Sequence, residues 1–320
     1  MTISKFREDE DLINVRNEVD RFGFSHFLAN KMQIKNPPRS FANWQHGWYW
    51  GDLEISELDM VLGYPKINNY NIPTIVADEN IKNALKGKGF TNVFAGGIPF
   101  SYIPKTESKR INDSIIVVMP HSLEYINFSS ADNFNELVNS ISQLSKRFSK
   151  VDCLVFYDDY VKKIYDNYFK NQNINLICGA RANSKNSLIY IRSIFDKYEY
   201  VISNCIGSAI LYSMFCNCKV SIIEPFFNYS YEFWLSDPYL RDNKNLIDLM
   251  IYHHSEDYLK KKYKFLFNSD PKLSKTNYDI AKKLIGFSYQ LKIEEIKELL
   301  GWTTFSKFKA MYRYFSRRIK

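Results

Sequence analysis

Short apolar runs alternate with amphipathic segments through the middle of the chain. The runs predicted to be buried strands are Ser114–Met119, Val151–Tyr157, Ile174–Cys178, Tyr200–Ser203 and Lys219–Ile223. The segments predicted to be helices, because their apolar residues recur at helical spacing, are Phe134–Phe148, Tyr160–Lys170, Ser187–Tyr198 and Ala209–Phe215. Five strands alternating with four helices predict a parallel, doubly wound α/β sheet.

The pattern on either side of this sheet predicts a second α/β unit and a set of terminal helices. The preceding elements are a helix at Glu8–Lys31, strands at Thr74–Val76 and Asn92–Ala95, and a helix at Glu79–Lys88. The following helices are Lys244–His254, Asn277–Ile285 and Ile293–Leu300, with His253 and His254 expected on an exposed polar edge. The predicted fold class is therefore α/β, with two Rossmann-like domains and C-terminal helices. We place the domains at residues 1–112, 113–285 and 286–320.

Small polar residues lie where two of the central strands end. Asn204–Ser208 follows the strand that ends at Ser203 and runs directly into a helix, and His121–Ser122 follows the first central strand. In such sheets ligands bind at the carboxyl ends of the strands, and free N–H groups at a helix start favour a phosphate. The alternative is an ordinary, well-capped turn.

Composition narrows the chemistry and the compartment. The chain has 320 residues, a formal net charge of +8 and five cysteines. An odd cysteine count in apolar segments predicts free thiols in a reducing cytoplasm, and Cys216 and Cys218 lack a second pair at zinc-site spacing, so no metal site is predicted. We also expect neither a signal peptide nor a membrane-spanning helix.

Basic residues concentrate in the tail, Thr304–Lys320, which carries six basic residues and no acidic one, interleaved with aromatic residues. Such a helix suits the anionic inner face of the cytoplasmic membrane, so we expect peripheral association there. The alternative is a helix that packs its aromatic residues on the body of the protein. No nucleic-acid partner is expected, because the charge does not form a reading surface on strands or helices.

The segment Phe41–Asp59 combines aromatic and polar residues and is predicted to be a short strand followed by a functional loop. His46 lies among Trp44, Trp48 and Trp50, which would make a platform for a sugar ring beside a general base. Asp52 is the second candidate base. The alternatives are a histidine held within an aromatic core and a solvent-exposed carboxylate.

Four short blocks together resemble GT-B glycosyltransferases of bacterial capsule and lipopolysaccharide assembly. They are QHGWYWGD at Gln45–Asp52, NVFAGGIPFSY at Asn92–Tyr102, MPHS at Met119–Ser122 and SNCIGSAILYS at Ser203–Ser213. Among these enzymes the chain looks like the sialyltransferases and Kdo transferases. The MPHS block is similar to the His-Pro motif of bacterial sialyltransferase-like enzymes, although here Pro120 precedes His121. The resemblance implies that His121 contacts the donor phosphate and that Ser208 starts the phosphate-binding helix.

These observations predict a metal-independent glycosyltransferase that uses a nucleotide-sugar donor and a surface-polysaccharide or lipid-linked glycan acceptor. A CMP-linked acidic sugar is the preferred donor, with a UDP- or GDP-hexose as the alternative. The predicted site residues are His46, Asp52 and His121 for catalysis and Ser122, Asn204, Gly207, Ser208 and Glu224 for donor binding. Two other functions stay open: a CDP-polyol phosphotransferase and a non-catalytic nucleotide- or glycan-binding partner.

Overall fold

A computed structural model describes residues 12–53, 71–120, 122, 134–170, 172–227, 229–236 and 238–308. The chain forms two parallel sheets, each with helices packed against it. The smaller sheet and its helices, from α1 to β3, form the first lobe. The larger sheet, from β4 to β8, forms the second lobe. The prediction of an α/β fold with two Rossmann-like units and C-terminal helices is confirmed.

The first lobe contains a three-stranded parallel sheet in the order β1-β2-β3. Its elements are α1 (Phe24–Lys31), β1 (Asn43–Trp44), β2 (Thr74–Val76), α2 (Glu79–Gly87) and β3 (Val93–Ala95). All three residues of β2 are buried, as expected for a central strand that is covered on both faces. The strands are short, so this lobe relies on the large aromatic residues that pack beside the sheet, such as the fully buried Trp44.

The second lobe contains a five-stranded parallel sheet in the order β6-β5-β4-β7-β8. Its strands are β4 (Ile111–Val118), β5 (Lys150–Val155), β6 (Ile174–Cys178), β7 (Tyr198–Ser203) and β8 (Lys219–Ile222). Its helices are α3 (Phe134–Leu144), α4 (Tyr157–Val161), α5 (Asp166–Phe169), α6 (Ser187–Lys197) and α7 (Ser208–Phe215). Every predicted strand is present, and the predicted helix at Tyr160–Lys170 is divided into α4 and α5.

The strand order places β4 beside β7, with Val118 opposite Ser203 at their carboxyl ends. The chain builds outward from β4 in one direction and then returns to build outward from β7 in the other. This is the topological switch point of the sheet, where the connecting loops diverge and leave a crevice. The two loops singled out from the sequence therefore start from adjacent strands.

Apolar residues cover both faces of the five-stranded sheet. Ile116 and Val201 point into a core that continues into the first lobe, while Ile115 and Ile202 point into a second core on the other face. The first core joins the lobes directly, and the ring of Phe100 stacks on Tyr212 with centroids 4.1 Å apart. The lobes are thus packed against each other beneath the crevice.

The first helix is shorter than predicted. Within the described part of the helix predicted over Glu8–Lys31, from Leu12 onward, the α-helix begins at Phe24, because Phe22 and Gly23 have positive φ angles of 55° and 76°. A Cβ atom at Gly23 would lie 1.9 Å from the carbonyl oxygen of Lys185, so the backbone of this turn is in close contact with the second lobe. A left-handed backbone conformation ends a right-handed helix, whatever its apolar spacing.

The chain after β8 first forms a helical cover over the crevice and then returns to the first lobe. Its helices are α8 (Tyr231–Leu235), α9 (Pro238–Arg241), α10 (Lys244–His254), α11 (Glu256–Lys262), α12 (Tyr278–Leu284) and α13 (Ile293–Leu300). The backbone amide of Phe41 donates to the carbonyl of Leu300 at 2.9 Å, and the side-chain amide of Gln290 donates to the carbonyl of Ser101 at 2.6 Å. Residues 290–300 therefore pack against the first lobe, and the boundary at 285/286 stays a prediction.

His253 and His254 are buried, so their predicted place on an exposed helix edge is wrong. They are 3% and 6% exposed, respectively. They follow Leu246, Ile247 and Met250 at helical spacing, which puts both on the inward face of α10.

No helix in the described ranges combines the length and the apolar character needed to cross a membrane. Residues 304–308 are helical, while most of the predicted membrane-binding tail lies outside the described residues.

Candidate functional site

A cavity of about 470 Å³ lies at the carboxyl edge of the five-stranded sheet, at its switch point. Its volume falls within the roughly 300–1,000 Å³ that is common for small-molecule sites. The residues that line it come from both lobes and from the helical cover. They include Phe22, His46, Trp50, Met119, Pro120, Gly207, Ser208, Tyr229, Trp234 and His254. The remaining lining is mostly aliphatic and aromatic.

The turn between β7 and α7 presents unpaired amide groups at this cavity. The N–H groups of Ile206, Gly207, Ser208 and Ala209 have no acceptor in the described part of the chain. No side chain caps the helix at Gly207. A Cβ atom built at Gly207 would meet nothing within 4 Å, so the space beside these amides is open. The result is a concave set of donors at the positive end of a helix dipole.

Ser208 and Tyr212, both on α7, hold the aromatic loop of the first lobe beside this turn. The hydroxyl oxygen of Ser208 accepts a hydrogen bond from the amide of Trp48 at 2.9 Å. The hydroxyl of Tyr212 donates to the carbonyl of His46 at 2.7 Å. The predicted phosphate-binding helix therefore also positions the predicted base, and the structure brings His46, Gly207 and Ser208 to one cavity.

Glu18 lies directly behind the imidazole of His46. Nδ1 of His46 is 3.0 Å from Oε2 of Glu18, and the guanidinium of Arg21 contacts the same carboxylate at 2.9 Å. His46 borders the cavity, so its other nitrogen, Nε2, is the one left to meet a ligand. The contact between Nδ1 and Oε2 lacks hydrogen-bond geometry and is therefore electrostatic.

Two buried side chains of the second lobe hold the loop after β4 in place. The hydroxyl of Tyr165 donates to the carbonyl of Pro120 at 2.9 Å, and the amide of Ser122 donates to Oδ2 of Asp159 at 2.9 Å. Asp159 is fully buried, and its other carboxylate oxygen has no hydrogen-bond partner. Met119 and Pro120 line the cavity. His121 lies outside the described residues, so its predicted contact with the donor phosphate stays a prediction.

An aromatic cluster from the helical cover closes the far side of the cavity. The ring of His254 lies 4.9 Å from that of Trp50, 4.9 Å from that of Tyr229 and 5.0 Å from that of Trp234. Burial lowers the pKa of His254 to about 4, so this imidazole is neutral at pH 7. The indole N–H of Trp234 is buried, and no described residue accepts a hydrogen bond from it.

Four of the predicted site residues that the structure describes do not line the cavity: Asp52, Ser122, Asn204 and Glu224. Asp52 accepts hydrogen bonds from Lys262 and Tyr258, each at 2.9 Å, and the contact with Lys262 lowers the pKa of Asp52. Glu224 is mostly exposed and pairs with Lys260 at 3.3 Å. Asn204 is buried and donates to the carbonyl of Pro225 at 3.2 Å. These residues tie neighbouring segments together around the cavity.

Sequence reasoning missed Glu18, Asp159, Trp234 and His254. The inward position of His254 could have been read from its spacing to Met250. Trp234 belongs to an aromatic-rich stretch that has no regular period, and Asp159 lies in a short helix with no motif. Glu18 meets His46 across 28 positions of sequence, and nothing local indicates that pairing.

The described residues contain no group of three or more histidine, cysteine, aspartate or glutamate side chains placed to hold a metal ion. Burial raises the pKa of the cavity-lining thiol of Cys205, which is therefore protonated at neutral pH.

Comparison with protein-family models and with curated proteins finds no match. Among solved structures, the chain is similar to a crystal structure of TarM, and to an S. aureus TarM variant in complex with fondaparinux, alpha-GlcNAc-glycerol and UDP. Both are 13% identical to it, with TM-scores of 0.31 and 0.32. The similarity covers 71% of this chain, which spans 42% of each TarM chain. Similarity at this level assigns no activity.

Proposed function

We propose that the protein is a glycosyltransferase that moves a sugar from a nucleotide donor to a glycan acceptor. The observation that carries the proposal is the set of unpaired amides from Ile206 to Ala209, which faces a cavity shared by both lobes. Amide donors at a helix start bind phosphate, and the departing nucleotide phosphate is the group that gains charge during glycosyl transfer.

The geometry suits stabilisation of the leaving group by the backbone. Gly207 leaves room for a phosphate to approach the amides closely, and the dipole of α7 adds a partial positive charge at the same point. Removing one such donor in other enzymes costs roughly 3 kcal/mol of transition-state stabilisation. A phosphate held here would lie beside the carboxyl end of β4, where His121 is predicted to contact it.

His46 is the proposed general base. It belongs to the first lobe, so an acceptor hydroxyl bound between the lobes can reach Nε2 while the donor phosphate stays on α7. Glu18, whose Oε2 lies 3.0 Å from Nδ1, would stabilise the positive charge that forms when Nε2 takes the proton. Asp52 is the weaker candidate, because its contact with Lys262 lowers its pKa and it lies outside the cavity.

The donor base and the acceptor are proposed from the sequence alone. A CMP-linked acidic sugar is the first donor considered and a UDP- or GDP-hexose the second, with a surface-polysaccharide or lipid-linked glycan as acceptor. A thermal-shift screen against CMP, UDP, GDP and CDP tests nucleotide binding, because a ligand of the native state raises the melting temperature. Donor hydrolysis or transfer across the corresponding nucleotide sugars tests turnover. Absence of both would refute the proposal.

Replacing His46 separates catalysis from binding. We expect His46→Ala to lower kcat by roughly 10²- to 10⁴-fold, the usual contribution of general base catalysis, while the affinity for the free nucleotide is retained. His26→Ala, outside the cavity, is the matched control and should leave kcat unchanged. Unchanged turnover in His46→Ala would show that His46 is not the general base. Absence of turnover in the wild-type protein, with nucleotide binding retained, would favour the non-catalytic binding function.

The basic tail is proposed to rest on an anionic membrane surface on the cytoplasmic side. Phe305 and Phe308, at its start, are 74% and 68% exposed and so are available to insert between lipids. Sedimentation with phosphatidylglycerol vesicles should bring down the full chain and leave a chain truncated after Thr303 in solution. Equal sedimentation of the two chains would contradict this assignment.

A further inference from the structure

The aromatic cluster of the helical cover has features that phosphate binding does not explain. Trp50 comes from the first lobe, whereas Trp234 and His254 come from the helical cover. All three residues line the cavity, and the ring of His254 contacts those of Trp50 and Trp234 with centroids about 5 Å apart. Flat apolar rings of this kind can stack against the C–H faces of a sugar.

The cluster also holds one unused donor and one available acceptor. Trp234 lines the cavity, and its indole Nε1–H is buried with no hydrogen-bond partner among the residues that the structure describes. Nδ1 of His254 is 2.7 Å from the carbonyl of Met250, which can only accept, so Nδ1 carries the proton. Nε2 of this neutral ring is then an acceptor. A buried donor without a partner is costly, and a ligand that supplies its acceptor recovers that cost.

Sugar hydroxyls match these two groups, because a hydroxyl can accept from an N–H and can also donate to a lone pair. A carboxylate does not match them, because it has no proton to offer to Nε2 and would place its charge against a lone pair. None of the described residues that line the cavity is a lysine or arginine that could neutralise such a charge. Burying an unpaired carboxylate here would be strongly unfavourable.

We propose that Trp50, Trp234 and His254 form the subsite for the transferred sugar, and that this subsite takes a neutral, hydroxyl-bearing ring rather than a carboxylated one. The inference rests on the proposed function and makes its substrate class narrower. It departs from the acidic sugar that the sequence places first, and it agrees with the hexose alternative.

The test compares sugar nucleotides with their own free nucleotides by calorimetric titration of the full chain. UDP, UDP-glucose and UDP-glucuronate form one series. The two sugars differ only in one group, which is a hydroxymethyl in glucose and a carboxylate in glucuronate. CMP and a CMP-linked nonulosonate form a second. We expect UDP-glucose to bind more tightly than UDP, and UDP-glucuronate to gain nothing over UDP. A greater gain from either acidic sugar than from glucose would overturn the proposal.

A variant series assigns the gain to the cluster. Trp234→Phe keeps an aromatic ring and removes the N–H, so the gain of UDP-glucose over UDP should fall by about fivefold, as for one neutral hydrogen bond, while UDP affinity is unchanged. Trp302→Phe, which removes an indole N–H far from the cavity, is the control and should keep the gain. If Trp234→Phe keeps the full gain in affinity of UDP-glucose over UDP, the sugar subsite is refuted, while the proposed nucleotide binding still stands. Failure of every nucleotide to bind would instead overturn the proposed function, and the subsite with it.

Discussion

Two turns in this molecule each connect a parallel strand to the following helix, but they differ in whether side chains satisfy the backbone amides of the turn. In the first lobe, β2 leads through Asp78 into α2, and Oδ1 of Asp78 accepts from the amide of Ile81 at 3.0 Å. The amide of Ala77 is also satisfied, by the side chain of Gln45 at 3.0 Å. In the second lobe, β7 leads through Gly207 into α7 with no side-chain cap and with unpaired amides.

The difference shows which turn is available to an anion. The first turn carries the carboxylates of Asp78 and Glu79 at the helix start, and these satisfy the dipole from within the protein. The second turn leaves that role to a ligand and faces a cavity. Similar topology therefore gives one structural turn and one candidate binding turn, and the distinction depends on one side chain at the cap position.

Placing an aspartate at the cap position of α7, as in the first turn, should give the largest effect on nucleotide affinity. Gly207→Asp is expected to stabilise α7 by about 0.3 kcal/mol, since aspartate caps a helix slightly better than glycine. The same carboxylate would oppose a bound phosphate, which costs several kcal/mol and weakens nucleotide binding by a hundredfold or more. Calorimetric titration and urea unfolding of the same sample measure the two effects.

The control for this exchange is Gly87→Asp, at the end of α2, where an added side chain also meets open space. It introduces an identical charge away from the cavity and should leave nucleotide affinity unchanged. Retained nucleotide affinity in Gly207→Asp would show that α7 does not bind the phosphate.

Acid should weaken the helical cover over the second turn. The pKa of His254 is about 4 in the folded protein against an ordinary value of 6.5, so the unfolded chain takes up a proton first as the pH falls. The stabilising contribution is complete above pH 6.5 and is lost progressively between pH 6.5 and 4. The difference amounts to about 3 kcal/mol.

Urea unfolding at pH 7 and at pH 4 measures this contribution. His254→Phe lacks the titrating group, so wild type should lose about 3 kcal/mol more than the variant between the two pH values. Other groups titrate in both proteins and cancel in the comparison. Parallel losses in wild type and variant would show that His254 does not stay neutral in the folded protein.

Removing the cap from the first turn should give the smallest effect, confined to stability. Asp78→Ala deletes the acceptor for the amide of Ile81 and is expected to lower the free energy of unfolding by about 1 kcal/mol. Nucleotide affinity should not change, because this turn lies outside the cavity. A loss of affinity in Asp78→Ala would remove the contrast between the two turns.

The strands and most helices were predictable because their signals are local. The apolar run at Ser114–Met119 and the alternation up to Ile223 are sufficient to indicate a parallel sheet, and the Gly207 turn follows from it. The beginning of α1 was not predictable, because the positive φ of Gly23 depends on a contact with Lys185 in the other lobe. Helical spacing continues through that point in the sequence although the backbone does not.

The site was predictable only where one segment supplies it. Gly207 and Ser208 follow from the strand-to-helix pattern, and His46 from its aromatic neighbours. The pairing of His46 with Glu18 and the enclosure of His254 by Trp50 and Trp234 join distant segments, and these contacts exist only once both lobes have packed. Asp52 and Glu224 follow strand-like segments as predicted, but their side chains bind lysines outside the cavity.

A crystal structure with the nucleotide that most raises the melting temperature would show directly where the donor phosphate binds. We expect phosphate oxygens within about 3 Å of the amide nitrogens between Gly207 and Ala209. A phosphate bound elsewhere, with the amides of this turn still unpaired, would contradict this expectation.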